Sequence, residues 1–70
     1  MVNYKQANQL WIKEYYGDKY NCLRAYNEDF IETKEGWAEF IDFLCKEGYI
    51  SQKDYDTWNM PSKEDIYKNY

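Results

Sequence analysis

The chain has 70 residues, nine Lys and Arg against thirteen Asp and Glu, and a net charge of −4. At this length it forms one domain, residues 1–70, which buries only about 60% of its unfolded surface. The negative charge argues against direct binding to nucleic acid or to an anionic membrane, because both are themselves negative.

The first predicted helix begins with a capping-box pattern, since Asn3 is a good N-cap and Gln6 follows three residues later. Gly17 fits the position just after a helix end, where a left-handed backbone favours glycine. An apolar stripe at helical spacing between them is formed by Ala7, Leu10, Trp11, and then Ile12 or Tyr15.

A second, shorter helix is predicted after Asp18, which is a favourable N-cap. Its end is predicted near Asn27. Its apolar residues are Cys22, Leu23 and Tyr26. Residues 28–32 are then expected to form a connector in which Phe30 or Ile31 enters the core.

The central segment has the strongest helical periodicity in the chain. Thr33 is predicted to cap this helix and Gly48 to end it. Its apolar residues recur at i, i+3, i+4, i+7 and i+8, which is the spacing of one buried helix face. They are Trp37, Phe40, Ile41, Leu44 and Cys45.

The C-terminal third contains two further capping patterns, Ser51 with Asp54 and Ser62 with Asp65. Pro61 closes the first of these segments. The apolar residues of the two segments are Tyr55 and Trp58, and then Ile66, Tyr67 and Tyr70.

These patterns predict an all-α fold, a compact bundle of three to four short helices. Val and Thr are too few for extended strands, although a short strand pair at residues 30–31 or 49–50 is left open. The predicted core is Leu10, Trp11, Leu23, Phe40, Ile41, Leu44 and Trp58.

The residue types for catalysis and metal binding are scarce. There is no His and no Cys-x-x-Cys motif, so neither a zinc site nor a Ser–His or Cys–His nucleophile is expected. Glu35 and Glu39 are neighbours on one helix face, and we interpret them as solvated rather than catalytic. We therefore predict no enzymatic activity, no cofactor and no metal, with Cys22 and Cys45 as reduced core thiols and a disulfide as the alternative.

An acidic face is the strongest candidate for a binding site. Residues 28–48 hold two lysines against seven Asp and Glu, a local charge of −5. Carboxylates three and four residues apart on a helix lie roughly 5–6 Å from each other, on the scale of phosphates along a nucleic-acid strand. The predicted partner-binding residues are Glu28, Asp29, Glu32, Glu35, Glu39 and Asp42. An ordinary solvated surface is the alternative.

Residues 25–30, 37–40 and 45–50 carry a resemblance to a known family. They read Ala-Tyr-Asn-Glu-Asp-Phe, Trp-Ala-Glu-Phe and Cys-Lys-Glu-Gly-Tyr-Ile, and they resemble the C-terminal part of ArdA-type antirestriction proteins. Glu28 stands where that family usually has Gly. The resemblance implies a mobile-element protein that mimics DNA and inhibits restriction enzymes. The small size and the Tyr-, Lys-, Asn- and Glu-rich composition also resemble small phage proteins, many of which disable a host protein. We therefore expect an inhibitor that binds the basic, nucleic-acid-binding surface of a host defence protein.

Two other functions remain open. Nine Tyr are more than so small a core encloses, and exposed Tyr and Trp are typical of protein interfaces. The alternative is that these aromatic residues only cover the edge of a thin core. A helix-turn-helix pattern at residues 43–51, with a second helix capped by Ser51, is less favoured. A DNA-reading second helix should be basic, whereas this one presents Gln52, Lys53, Asp54 and Asp56. Since no apolar run approaches about 18 residues, we expect a soluble cytoplasmic protein.

Overall fold

Helices account for all of the regular structure. The computed structural model describes all 70 residues, and its helices are α1 (Tyr4–Tyr16), α2 (Lys19–Glu28), α3 (Phe30–Lys46), α4 (Gln52–Thr57) and α5 (Lys63–Asn69). The predicted all-α class is confirmed. Both short segments after Ser51 and Ser62 are helical, as their capping patterns predict, and the total of five helices is one more than the upper end of the predicted three to four. Residues 30–31 begin α3 and residues 49–50 lie in the turn after it, so neither pair is a strand.

Most of the predicted helix ends are confirmed. The Asn3 side chain accepts a hydrogen bond from the Gln6 amide at 2.8 Å, and the Gln6 side chain accepts one from the Asn3 amide at 3.0 Å. Gly17 ends α1 with a φ of 87°. The remaining confirmed N-caps are Asp18, Ser51 and Ser62. Helix α2 runs one residue past the predicted Asn27, to Glu28.

The predicted start of α3 was wrong. Asp29, not Thr33, is the N-cap, and its carboxylate accepts a hydrogen bond from the Glu32 amide at 3.0 Å. Thr33 lies buried in the first turn, where its hydroxyl donates to the Asp29 carbonyl at 2.8 Å. Phe30 and Ile31 are 47% and 69% exposed, so neither enters the core. The predicted connector of residues 28–32 was therefore also wrong. Only Asp29 separates the two helices, and it is both the C-cap of α2 and the N-cap of α3.

The end of α3 is a Schellman turn around Gly48, whose φ is 78°. The Gly48 amide donates to the Cys45 carbonyl at 3.1 Å, and the Tyr49 amide donates to the Leu44 carbonyl at 2.8 Å. The Tyr49 carbonyl in turn accepts a hydrogen bond from the Val2 amide at 3.1 Å. This turn therefore fixes the N-terminus beside the C-terminal end of α3.

The core lies between α1, α2 and α3, and α5 covers α2. Trp11 and Trp37 pack edge to face at its centre, with ring centroids 5.3 Å apart. The buried apolar residues are Ala7, Trp11, Ile12, Cys22, Trp37, Phe40, Ile41, Leu44, Ile50 and Ile66. Four of the predicted core residues, Trp11, Phe40, Ile41 and Leu44, are among them.

Three predicted core residues lie further out. Leu10 is 39% exposed, so its prediction as a core residue was wrong. Trp11 and Ile12 take the core-facing positions of α1, which turns Leu10 toward the side of the bundle. Leu23 and Trp58 are half-buried and pack against the outside of the core.

Two polar residues belong to the core although their types favour the surface. Asn8 is fully buried, and its side-chain amide donates to the Tyr70 hydroxyl at 3.0 Å. Thr33 is 2% exposed and hydrogen-bonded within α3. The Asn8–Tyr70 hydrogen bond therefore links α1 to residue 70.

Candidate functional site

Five of the six predicted acidic residues lie on one continuous surface. Glu28, Asp29 and Glu32 line a shallow cleft together with Tyr16. Glu32, Glu35 and Glu39 line a second cleft that also contains Tyr16. Because Glu32 and Tyr16 belong to both clefts, the two are adjoining. The acidic surface, as we call it below, consists of Glu28, Asp29, Glu32, Glu35 and Glu39.

The sixth predicted residue, Asp42, differs from these five because it is ion-paired. It lines neither cleft, and its carboxylate lies 2.9 Å from the Lys46 ammonium one turn along α3. The hydrogen bond and the negative charge of Asp42 raise the pKa of Lys46. Asp42 is therefore partly neutralised by its own helix, unlike the residues of the acidic surface.

The acidic surface has no cation within ion-pair distance. The salt bridges of the molecule are Asp42–Lys46 and Glu64–Lys68, and neither includes one of these five residues. All five residues of the acidic surface are exposed. Asp29 also caps α3, so its carboxylate has a structural task as well as a charge. The result is an uncompensated negative charge at the junction of α2 and α3 and along the outer side of α3.

A second feature is an apolar groove between α1, the C-terminal half of α3 and the turn that follows it. The groove has a volume of about 530 Å³. Four of its residues are large and substantially exposed: Leu10 at 39%, Tyr15 at 44%, Phe43 at 52% and Tyr49 at 50%. Its complete lining is Val2, Leu10, Glu14, Tyr15, Phe40, Phe43, Leu44 and Tyr49.

Tyr15 belongs to both features. It lines the apolar groove and also the cleft that contains Glu35 and Glu39. Burial, and secondarily the negative charge of Glu39, raise the pKa of the Tyr15 hydroxyl. The Tyr15 hydroxyl therefore stays protonated to a higher pH than that of a free tyrosine.

Sequence reasoning missed the groove as a site. Leu10 was assigned to the core, and Phe43 and Tyr49 were not singled out. Phe43 lies between the buried residues Ile41 and Leu44 in the sequence, but it is not on the buried face of α3. An aromatic residue outside the regular apolar spacing of α3 was the one sequence signal that could have indicated the groove. The partial exposure of the other groove residues depends on how α1 packs against α3.

The two cysteines are free thiols, as expected from the sequence. Cys22 is fully buried, and this burial raises the pKa of its thiol to about 11. Cys45 is only half-buried, and its sulfur lies 3.8 Å from the Gln52 side-chain oxygen. Cys22 is thus a core thiol, whereas Cys45 lies at the edge of the core beside α4.

Other kinds of site have no counterpart in this geometry. No three Cys, Asp or Glu side chains are grouped as metal ligands. None of the five helices has the length and apolar character needed to cross a bilayer.

No family model, curated protein or solved structure matches the chain. The resemblance to antirestriction proteins stays a prediction.

Proposed function

We propose that the protein is a non-catalytic inhibitor that binds the basic, nucleic-acid-binding surface of a host defence protein. One observation carries this proposal: the five carboxylates of the acidic surface are exposed, adjoining and without a paired cation. Such a surface complements a basic one, accelerates the encounter and repels partners of like charge. The partial antirestriction resemblance of residues 25–50 points the same way.

Inhibition requires only that the protein occupy the basic surface. Carboxylates at helical spacing take the positions of phosphates, so the defence protein cannot bind its nucleic acid at the same time. Such an inhibitor would be encoded by a phage or a mobile element. It would act in the cytoplasm of the host cell.

A second candidate function rests on the apolar groove. A contiguous set of exposed apolar side chains on a small protein marks an interaction surface. If this groove alone supplied the affinity, the protein would be a general interaction module. Added salt separates the two candidates, because exposed charges are screened while apolar contacts change little.

The proposed function is tested by capture followed by competition. The purified protein is immobilised, and its partner is captured from a lysate of the host and identified. We expect the partner to bind nucleic acid, and we expect the free protein to displace a labelled oligonucleotide from it. A ternary complex of partner, oligonucleotide and this protein would contradict the proposal.

A further inference from the structure

The borders of the apolar groove differ in charge. Glu14 lines the groove itself, and Tyr15 connects it to the cleft of Glu35 and Glu39. A neighbouring cleft, which shares Val2 and Leu10 with the groove, also contains Gln6, Gln9 and Lys13. The groove therefore has an apolar floor, carboxylates at Glu14 and beyond Tyr15, and a neutral to basic cleft beyond Val2 and Leu10.

This asymmetry specifies the chemistry of an occupant. An amphipathic helix binds a groove through apolar residues at i, i+3 or i+4 and i+7, which here would contact Leu10, Phe43 and Tyr49. A basic flank on that helix would face Glu14 and Glu39. An acidic flank would be repelled there, and an uncharged one would leave these carboxylates without partners.

We infer that the apolar groove binds a basic amphipathic helix of the partner protein, whose apolar side packs on Leu10, Phe43 and Tyr49 while its basic flank contacts Glu14 and the acidic surface. This inference rests on the proposed function, since it names the element of the partner that the protein recognises. It adds that recognition needs both features together. A partner with a flat basic surface and no apolar helix would bind weakly.

A second copy of this chain is a poorer occupant. Helix α1 has mixed charge, with Lys5 and Lys13 beside Glu14, and the outer side of α3 is acidic. Neither offers a basic flank to Glu14 and Glu39. Insertion of α3 of a second copy into the groove would therefore juxtapose like charges, which destabilises an interface, and α1 would add no compensating basic flank.

Synthetic peptides test the inference without knowledge of the partner. Three peptides of about 18 residues, or five helical turns, share one helical design. The first has a leucine face and lysines on one flank; the second keeps the leucines with glutamates on the flank; the third keeps the lysines with serines on the apolar face. Amide chemical shifts of the ¹⁵N-labelled protein report both the affinity and the position of binding.

We expect the leucine–lysine peptide to bind most tightly and to shift the amides of Leu10, Tyr15, Phe43 and Tyr49. Phe43→Ser should weaken it by at least about tenfold, the loss typical of removing a central contact. Tyr49→Ser is a second variant at a half-exposed position, in case Phe43→Ser disturbs α3. Ile31→Ser is the matched control, because Ile31 is exposed on the same helix but outside the groove.

Three results would overturn the inference. The leucine–glutamate peptide could bind as tightly as the leucine–lysine peptide, or the serine–lysine peptide could do so. The third result is that neither Phe43→Ser nor Tyr49→Ser changes the affinity for the leucine–lysine peptide. A concentration-dependent dimer that Phe43→Ser abolishes would also overturn it, by showing a second copy in the groove. Each of these leaves the proposed function intact if the protein still displaces nucleic acid from its captured partner. Conversely, failure of that displacement with normal peptide binding removes the proposed function alone.

Discussion

Tyr15 packs edge to face against Phe40, with ring centroids 5.8 Å apart and the rings inclined at 79°. This contact between α1 and α3 holds the tyrosine at the boundary of two surfaces. Tyr15 lines both the apolar groove and the cleft of Glu35 and Glu39. The apolar and the acidic features are thereby parts of one surface, and its charge and its shape are set by the same two helices.

Leu44→Ala should destabilise the protein by about 2–5 kcal/mol, through lost burial and the cavity left behind. Leu44 is 3% exposed and lies on the buried stripe of α3. Since small domains have total stabilities of about 5–15 kcal/mol, this change removes much of the folding free energy. Urea denaturation measures it. Phe43→Ala is the neighbouring control at a 52% exposed position, and an equal loss in both variants would contradict the assignment of the core.

Gly36→Ala and Gly48→Ala should change stability in opposite directions. A Cβ at Gly36 would lie 3.5 Å from the Tyr15 ring, an ordinary contact, so alanine should stabilise α3 by up to about 1 kcal/mol. Gly48 has a φ of 78°, where alanine is strained by about 1–2 kcal/mol. Thermal melting distinguishes the two, and a lower melting temperature for Gly36→Ala would show that Tyr15 cannot accommodate the methyl group.

Asp29→Ala should lower stability by about 1 kcal/mol, because it removes the N-cap of α3. Glu35→Ala is the control, since Glu35 is an exposed residue of the same acidic surface without a capping bond, and such changes stay within about ±0.5 kcal/mol. Denaturant titration of both variants is the measurement. If Asp29→Ala is as stable as Glu35→Ala, the cap contributes nothing and α3 frays to Thr33.

Stability should fall at alkaline pH. Burial raises the pKa of the Cys22 thiol from 9.0 to about 11, and burial also raises the pKa of the Tyr4, Tyr15, Tyr16 and Tyr26 hydroxyls. In this pH range the folded state keeps protons that the unfolded chain releases. The stabilisation is therefore complete below pH 9 and is lost as the pH rises through 9 to 11 and beyond.

Cys22→Ala isolates the contribution of the thiol to this loss. Two pKa units correspond to a free-energy difference on the order of 2–3 kcal/mol. The variant should lose less stability than the parent between pH 9 and 11, whatever its stability at pH 7. Denaturant midpoints across this range provide the comparison. Parallel curves for parent and variant would mean that Cys22 ionises equally easily in the folded and unfolded states.

The helices were largely predictable because their signals are local. Asn3, Asp18, Ser51 and Ser62 cap helices through side-chain bonds to amides three residues away, which a sequence pattern contains in full. The start of α3 was missed because Asp29 and Thr33 are both good caps, and only their competition in the folded chain decides. In the structure Asp29 is the cap, and Thr33 is buried in the first turn of α3.

The candidate site was predictable only in part for a different reason. Helical spacing predicted that Glu35 and Glu39 lie together. Glu32 was predicted to lie in the connector before Thr33, and it joins them because α3 begins earlier, at Phe30. Asp42 was predicted to act with them, but it forms an ion pair with Lys46, four residues further along the helix. The apolar groove depends on the packing of α1 against α3 and on the turn at Gly48, which are tertiary relationships without a local signature.

The central claim is that the acidic surface supplies the affinity for the partner. The most direct test compares the dissociation constant of the captured partner for the parent and for two variants with the same charge change, at low and at physiological salt. One variant carries Glu32→Lys, Glu35→Lys and Glu39→Lys; the control carries Glu47→Lys, Asp56→Lys and Glu64→Lys, at exposed positions outside the two acidic clefts.

We predict that the parent and the control bind alike and that both weaken as salt is added. The acidic-surface variant should remain folded and lose most of its affinity, chiefly through slower association. Equal affinity of that variant and the parent at both salt concentrations would contradict the claim, and the apolar groove would then be the binding site by itself.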